Sequence, residues 1–220
     1  MADSSDLRQT AVEPERALAL AWLPPDRRDA VRTLFALDAR LAALARFTRD
    51  AHVAQMRLTW WYQAIEALDT RPAPAEPLLQ AIQRHILPSV RGAELVAMVE
   101  GWEELLDAEP LDDDRLEAFA DRRGAVLFAA LARILGAAEG DPVGAAGKGW
   151  ALVDFAAQSP DRAAAARAQH LADRHLTAAT AVRWSRAGRP IGALAHLATI
   201  PLRSPAARSL RVLRHRLTGR

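Results

Sequence analysis

The sequence predicts an all-α fold, and three observations predict it. Alanine and leucine supply most of a hydrophobic content of 50%, and both lose little side-chain entropy in a helix, where β-branched residues lose more. No stretch alternates apolar and polar residues with the strand period of two. Apolar residues recur instead at helical spacing, in segments punctuated by proline, glycine and aspartate.

Residues 1–13 read as a flexible N-terminus and 14–220 as one helical domain, since no linker is long enough to separate two cores. A short helix is expected from Pro14 to Trp22. The pair Pro24-Pro25 starts a second, through Leu34, Leu37, Leu41 and Leu44. Pro25 suits its first turn, where the missing N–H would have had no partner anyway. A third helix runs from about Ala51 to Leu68, and DTRPAPAEP (69–77) is a loop. Helices near 77–86 and 88–107 follow. Asp112 then caps a helix that reaches Leu135, with Gly124 a candidate kink and Gly136 the stop. Further helices are expected at about 142–157, 160–187, 191–199 and 204–217.

Several function classes are excluded. There is no cysteine, hence no disulfide framework, thiolate nucleophile or cysteine metal site. A nucleophile elbow, a glycine-rich phosphate loop and zinc-type spacing are all missing. The N-terminal MADSSDLRQTAVEPER lacks the apolar core of a secretory signal. No apolar run approaches the roughly 18–20 residues needed to span a bilayer. The expectation is a cytoplasmic protein, able to sit peripherally on the inner face of the membrane.

Three stretches, in a consistent order, resemble the squalene/phytoene synthase family. ERALALAWLPPDRRDAVRTLFALDARLAAL (15–44) is similar to the family's opening pair of helices. MRLTWWYQAIEAL (56–68) resembles its R-L-x-W-W-x-x-A segment and is the most specific match. The third runs from Ile86 through an acid-rich helix and LFAALARILG to GKGWAL, ending at Leu152. The resemblance implies an isoprenoid-synthase-like helical bundle around a central cavity for prenyl diphosphates. It also implies two aspartate motifs facing each other across that cavity, holding the Mg²⁺ that neutralises a departing diphosphate.

Neither motif is present. With Leu34-Phe35 set on the family's L-Y, the first D-D-x-x-D falls on Ala42, Ala43 and Arg46. Downstream of Gly149-Trp150-Ala151, the second reads Val153, Ala156 and Ser159-Pro160, with Asp154 and Asp161 at the wrong offsets. An arginine in place of a metal-binding aspartate repels a divalent cation. No catalytic residue, no metal ligand and no Mg²⁺ or other cofactor is therefore expected.

The candidate cavity or anion-binding set is Arg40, Arg46, Arg57, Trp60 and Trp61. The tryptophans could line a remnant prenyl cavity with Arg57 toward an anionic head group; equally, paired tryptophans are core and the arginine a partly buried ion pair. Glu100, Glu103, Glu104 and Asp107 share a helical face, which reads as a solvated row or as partners for arginines. Asp112, Asp113 and Asp114 read as helix capping, and His170 and His175 as surface histidines, being on different sides of a helix.

The tail is basic. From Pro201 to Arg220 there are six arginines and no acid, against a net charge of +2 for the whole chain. Leu210, Leu213 and Leu217 form a stripe, with Arg208, Arg211, Arg214 and Arg216 over much of the remaining surface. Two arrangements are open: leucines on the core with arginines in water, or a helix docked on an anionic membrane or an acidic protein. Nucleic acid is disfavoured, with no interleaved aromatics and no binding module. The expected partners are thus a protein, an anionic membrane surface or both, with a prenyl lipid as a further candidate.

The resemblance implies two functions. One is a catalytically silent member acting as a binding or assembly factor near the membrane, as in the branch that assembles respiratory complex I. The other is a transferase of isoprenoid, carotenoid or hopanoid biosynthesis that clamps prenyl diphosphates with Arg40, Arg46, Arg49 and Arg57 in place of metal.

Overall fold

The computed structural model describes residues 23–48, 50–106, 110–200 and 205–220, with side chains in the last segment from Ser209 onward. The expected flexible segment 1–13, the Pro14–Trp22 helix, Arg49 and Asp107 lie outside the described residues. Every regular element among those described is helical, and no strand occurs among them.

Helix α1 spans Pro25–Phe47 and begins at the proline, as the sequence requires. It buries Val31, Leu34, Leu37, Leu41 and, on the same face, Asp38. Helix α2, Ala51–Ala67, starts where the Asp50 carboxylate accepts the amide of His52 at 2.9 Å. Helix α3, Pro77–His85, is capped by Glu76. The helix expected over 88–107 is instead two short pieces, α4 (Gly92–Leu95) and α5 (Ala97–Glu103). The reason lies in the preceding loop: Asp69 accepts the amides of Gly92 at 2.6 Å and Ala93 at 2.9 Å, so the chain turns helical only there.

Asp112 caps α6, Asp113–Phe119, by accepting the Arg115 amide at 2.9 Å. A π-helical turn, Ala120–Ala125, then leads into α7, Val126–Leu135. The candidate kink Gly124 falls inside that turn, and Gly136 ends α7 with a left-handed φ of 72°. Helix α8 is Val143–Gln158 and α9 is Arg162–Ala181. Helix α9 stops short of the expected 187 because Val182 is extended and Trp184 is held elsewhere. The Trp184 indole donates to Ala179, and its amide to the Gly219 carbonyl at 2.9 Å. Helices α10, Arg189–Ala198, and α11, Pro205–Thr218, close the chain.

Helix α8 is central, packing on α9, the π turn, α7 and α10, while α11 packs on α10. The interior of the bundle is filled by aromatic rings. Trp102 meets Phe119 edge-on at 5.5 Å, Phe119 meets Phe155 at 5.8 Å, and Phe128 tilts against Trp150 at 5.5 Å. Such edge contacts add roughly 0.5–1.5 kcal/mol each beyond burial.

Candidate functional site

Among those rings lies a buried charge cluster built by three helical elements. Asp38 sits on the inward face of α1, one turn from Leu34 and Leu41. Arg123 comes from the π turn, Asp154 from α8, and Arg46 from the last turn of α1. Arg123 and Asp38 are each about 1% exposed. The guanidinium grips Asp38 through Nε at 2.8 Å and Nη2 at 2.9 Å, and Nη2 also reaches Asp154 at 2.8 Å. Arg46 bonds Asp154 at 3.2 Å and donates to Gln158. The Trp102 indole donates to Asp38 at 3.3 Å.

Two cations meet two anions, so the cluster is neutral, as burial demands. Burial by itself would push the Arg123 guanidinium down, but Asp38 and Asp154 outweigh it and hold the group above its ordinary value. Burial lowers Arg46, with Arg123 adding to that effect against the upward pull of Asp154. Ring faces supply further compensation: the Arg123 guanidinium carbon lies 4.3 Å from the Trp102 ring and 4.9 Å from that of Trp150. Nη1 of Arg123 has no hydrogen-bond partner.

Glycines make this convergence possible. A Cβ on Gly124 would run into the Gly147 carbonyl, one on Gly147 into that of Gly124, and one on Gly101 into the Arg123 amide. The π turn, α5 and α8 therefore touch backbone to backbone around Arg123.

Of the five candidates named from sequence, Arg40, Trp60 and Trp61 come together, the two indoles edge-on at 5.5 Å, while Arg46 lies apart from them. Arg46 points inward to Asp154. Arg40 reaches Glu76 at 3.9 Å with half its side chain in water, and its guanidinium lies 5.9 Å from the Trp61 ring. Trp61 is core, whereas Trp60 is 48% exposed, and Arg57 faces solvent. The acidic row serves arginines, with Glu104 bonding Arg122 and Glu100 lying 3.8 Å from it, while Glu103 bonds Gln55 at 2.8 Å. Burial raises Glu103 above the usual carboxylate range. His170 is exposed, and His175 pairs with Glu117 at 2.9 Å. No group of three His, Cys, Asp or Glu suited to a metal ion occurs among the described residues.

In the tail, the first of the two open arrangements is set aside. Leu210, Leu213 and Leu217 are not on the core: they are 68%, 48% and 70% exposed. Val212 and His215 are buried in their place, His215 over Gly192 and against His196, with ring centroids 4.5 Å apart. Burial lowers both histidines to about 4, with nearby arginines opposing their charging further. Neither ring nitrogen of His196 has a hydrogen-bond partner, and His215 has only the Arg189 backbone close by to pull the other way. A groove of about 980 Å³ lies near the end of this helix, walled by Leu23, Arg27, Leu135, Arg189, Ala193 and Leu217. No helix among the described residues is long and apolar enough to cross a membrane.

Sequence reasoning missed Asp38 and Arg123 and noted Asp154 only as misplaced. The signal for Asp38 was available: it interrupts the apolar face Leu34, Leu37, Leu41, where an acid requires a buried cation.

Comparison with family models matches residues 9–200 to squalene/phytoene synthase. Comparison with curated proteins finds no match. Among solved structures, a dehydrosqualene synthase in complex with ligand superposes with a TM-score of 0.70 at 12% identity, covering 97% of this chain and 93% of that one. At that identity the likeness speaks to the fold, an all-α isoprenoid-synthase bundle.

Proposed function

The chain belongs to the squalene/phytoene synthase family, and from that premise we propose that it is a catalytically silent member, a binding or assembly factor working near a membrane. One observation carries this reading. Where the family resemblance calls for carboxylates facing each other across a cavity, Arg46 and Arg123 bridge Asp38 and Asp154 directly. Two guanidiniums thus do what bound cations would do, joining α1 to α8. Trp102, Phe119 and Trp150 occupy the space around them.

The residues present do not fit Mg²⁺. Its binding needs several free oxygen ligands in near-octahedral array, and both buried carboxylates are already committed to guanidinium. The arginine-clamp transferase has weaker support, because Arg46 is spent on Asp154 and Gln158, and Arg40 and Arg57 point away from it.

The experiment is incubation with farnesyl and geranylgeranyl diphosphate, with and without Mg²⁺, following diphosphate release and binding heat. Neither release nor metal-dependent binding is expected. Metal-dependent release of diphosphate would overturn the proposal, and tight metal-independent binding would favour the clamp.

A further inference from the structure

Helix α11 carries two opposed apolar faces. At about 100° per residue, the buried Val212 and His215 lie on one side. Leu210, Leu213 and Leu217 lie on the other and are largely exposed, with Leu217 also edging the groove beside Leu23 and Leu135. Arg211 and Arg214 flank the leucine stripe on one edge and Arg216 on the other. Arg211 and Arg214 form no ion pair among the described residues, and no acid lies between Pro201 and Arg220.

The C-terminal end of the helix is also tied to the body. Arg189 donates to the carbonyl of Arg216 at 2.7 Å, Arg183 to that of Thr218 at 3.0 Å, and Trp184 to that of Gly219 at 2.9 Å. Three donors thus satisfy the helix end whose carbonyls would otherwise need water. A leucine stripe kept outward on an anchored helix is not an unfolded remnant.

We propose that this face of α11 docks the protein on an anionic phospholipid bilayer, with the helix lying in the interface plane. Leucines flanked by Arg211 and Arg214 on one side and Arg216 on the other match that boundary. The apolar side chains enter the acyl region, and the long arginines reach sideways to phosphate groups. Charge complementarity selects the occupant, since an all-cationic rim is drawn to an anionic surface, repelled by a basic one and not attracted to a neutral one. This deepens the functional reading by naming its membrane surface, yet it does not depend on whether the core is catalytic.

The test is co-sedimentation of the full chain with vesicles of phosphatidylcholine alone and of phosphatidylcholine with phosphatidylglycerol. Wild-type protein should pellet with the anionic vesicles only, and added salt should release it. Leu210→Asn/Leu213→Asn/Leu217→Asn and, separately, Arg211→Glu/Arg214→Glu should each weaken binding by about tenfold or more. These side chains are exposed, so melting temperature should not move, which separates lost docking from lost folding. Failure of the wild type to pellet with anionic vesicles would overturn the proposal, as would equal binding to neutral ones. Undiminished binding by the leucine variant would also overturn it, because attraction would then be charge alone. None of these outcomes bears on diphosphate release, so the proposed absence of catalysis stands or falls separately.

Discussion

Replacing Arg123 with methionine should be among the most damaging single changes in this protein. The substitution keeps an unbranched stem among Trp102, Phe119 and Trp150 but removes the charge. Asp38 then retains only the Trp102 indole at 3.3 Å, within a site about 1% exposed. Asp154 fares better, because Arg46 still bonds it. The harm therefore falls chiefly on Asp38. Removing one partner of a buried pair costs about 3–5 kcal/mol. In a chain of this size that lowers Tm by roughly 6–20 °C, at about 2–4 °C per kcal/mol. Urea unfolding read by tryptophan fluorescence would measure it, with the slope m checked for constancy. The companion variant Asp38→Asn/Arg123→Met removes both charges and should recover about 2 kcal/mol of the loss, appearing as coupling in a double-mutant cycle. If Arg123→Met costs under about 1 kcal/mol, or the two changes simply add, the two residues are not a buried pair and the account of the core is wrong.

Other expectations follow from the same geometry. His196 and His215 sit at about 4 when folded against an ordinary 6.5. Between those values the unfolded chain takes up protons that the folded chain refuses. Their contribution is intact above about pH 6.5, falls with acidification toward about pH 4, and levels off below, at up to about 2.7 kcal/mol per pH unit for the two together. Comparing the pH dependence of unfolding in wild type and His196→Leu/His215→Leu would detect it, and identical slopes between pH 6 and 5 would refute it. Gly124→Ala should destabilise by about 1–3 kcal/mol, since a methyl group there meets the Gly147 carbonyl; an unchanged denaturation midpoint would argue against the close approach. Millimolar Mg²⁺ or chelator should leave Tm unchanged, whereas a Mg²⁺-dependent rise would reveal a cation site by linkage.

The helices were largely legible because their boundaries rest on local chemistry. Pro25, Asp50, Asp112 and Gly136 each start or stop a helix using atoms within a few residues. Where the partner is distant, reading failed. The start of α4 depends on Asp69, 23 residues away, so the 88–107 segment looked continuous. The loss of the aspartate motifs was legible, residue by residue, but what replaced them was not. Arg123 meets Asp38 across 85 positions, and no periodicity reports such a pairing. In the tail, the leucine stripe was recognised, but a second apolar face supplied by Val212 and His215 was not. Histidine reads as polar in a sequence, and only burial of both rings together shows it acting as core.

The π turn at Ala120–Ala125 has a consequence for how chain length can vary. A π turn holds an extra residue relative to an α-helix, so deleting one residue there would let the helix run straight from α6 into α7. The flanking helices would keep their register, with Phe128 and Leu131 still on the core, while the side chains within the turn would be re-aimed and Arg123 carried away from its acids. Within the π turn the count of residues is therefore as constrained as their identity. The proline-rich 69–77 loop is held differently, by side chains: Asp69 and Glu76 start α4 and α3, and Gln83 accepts the Ala73 amide and donates to the Arg71 carbonyl, both at 2.9 Å. Gaps should be missing from the π turn.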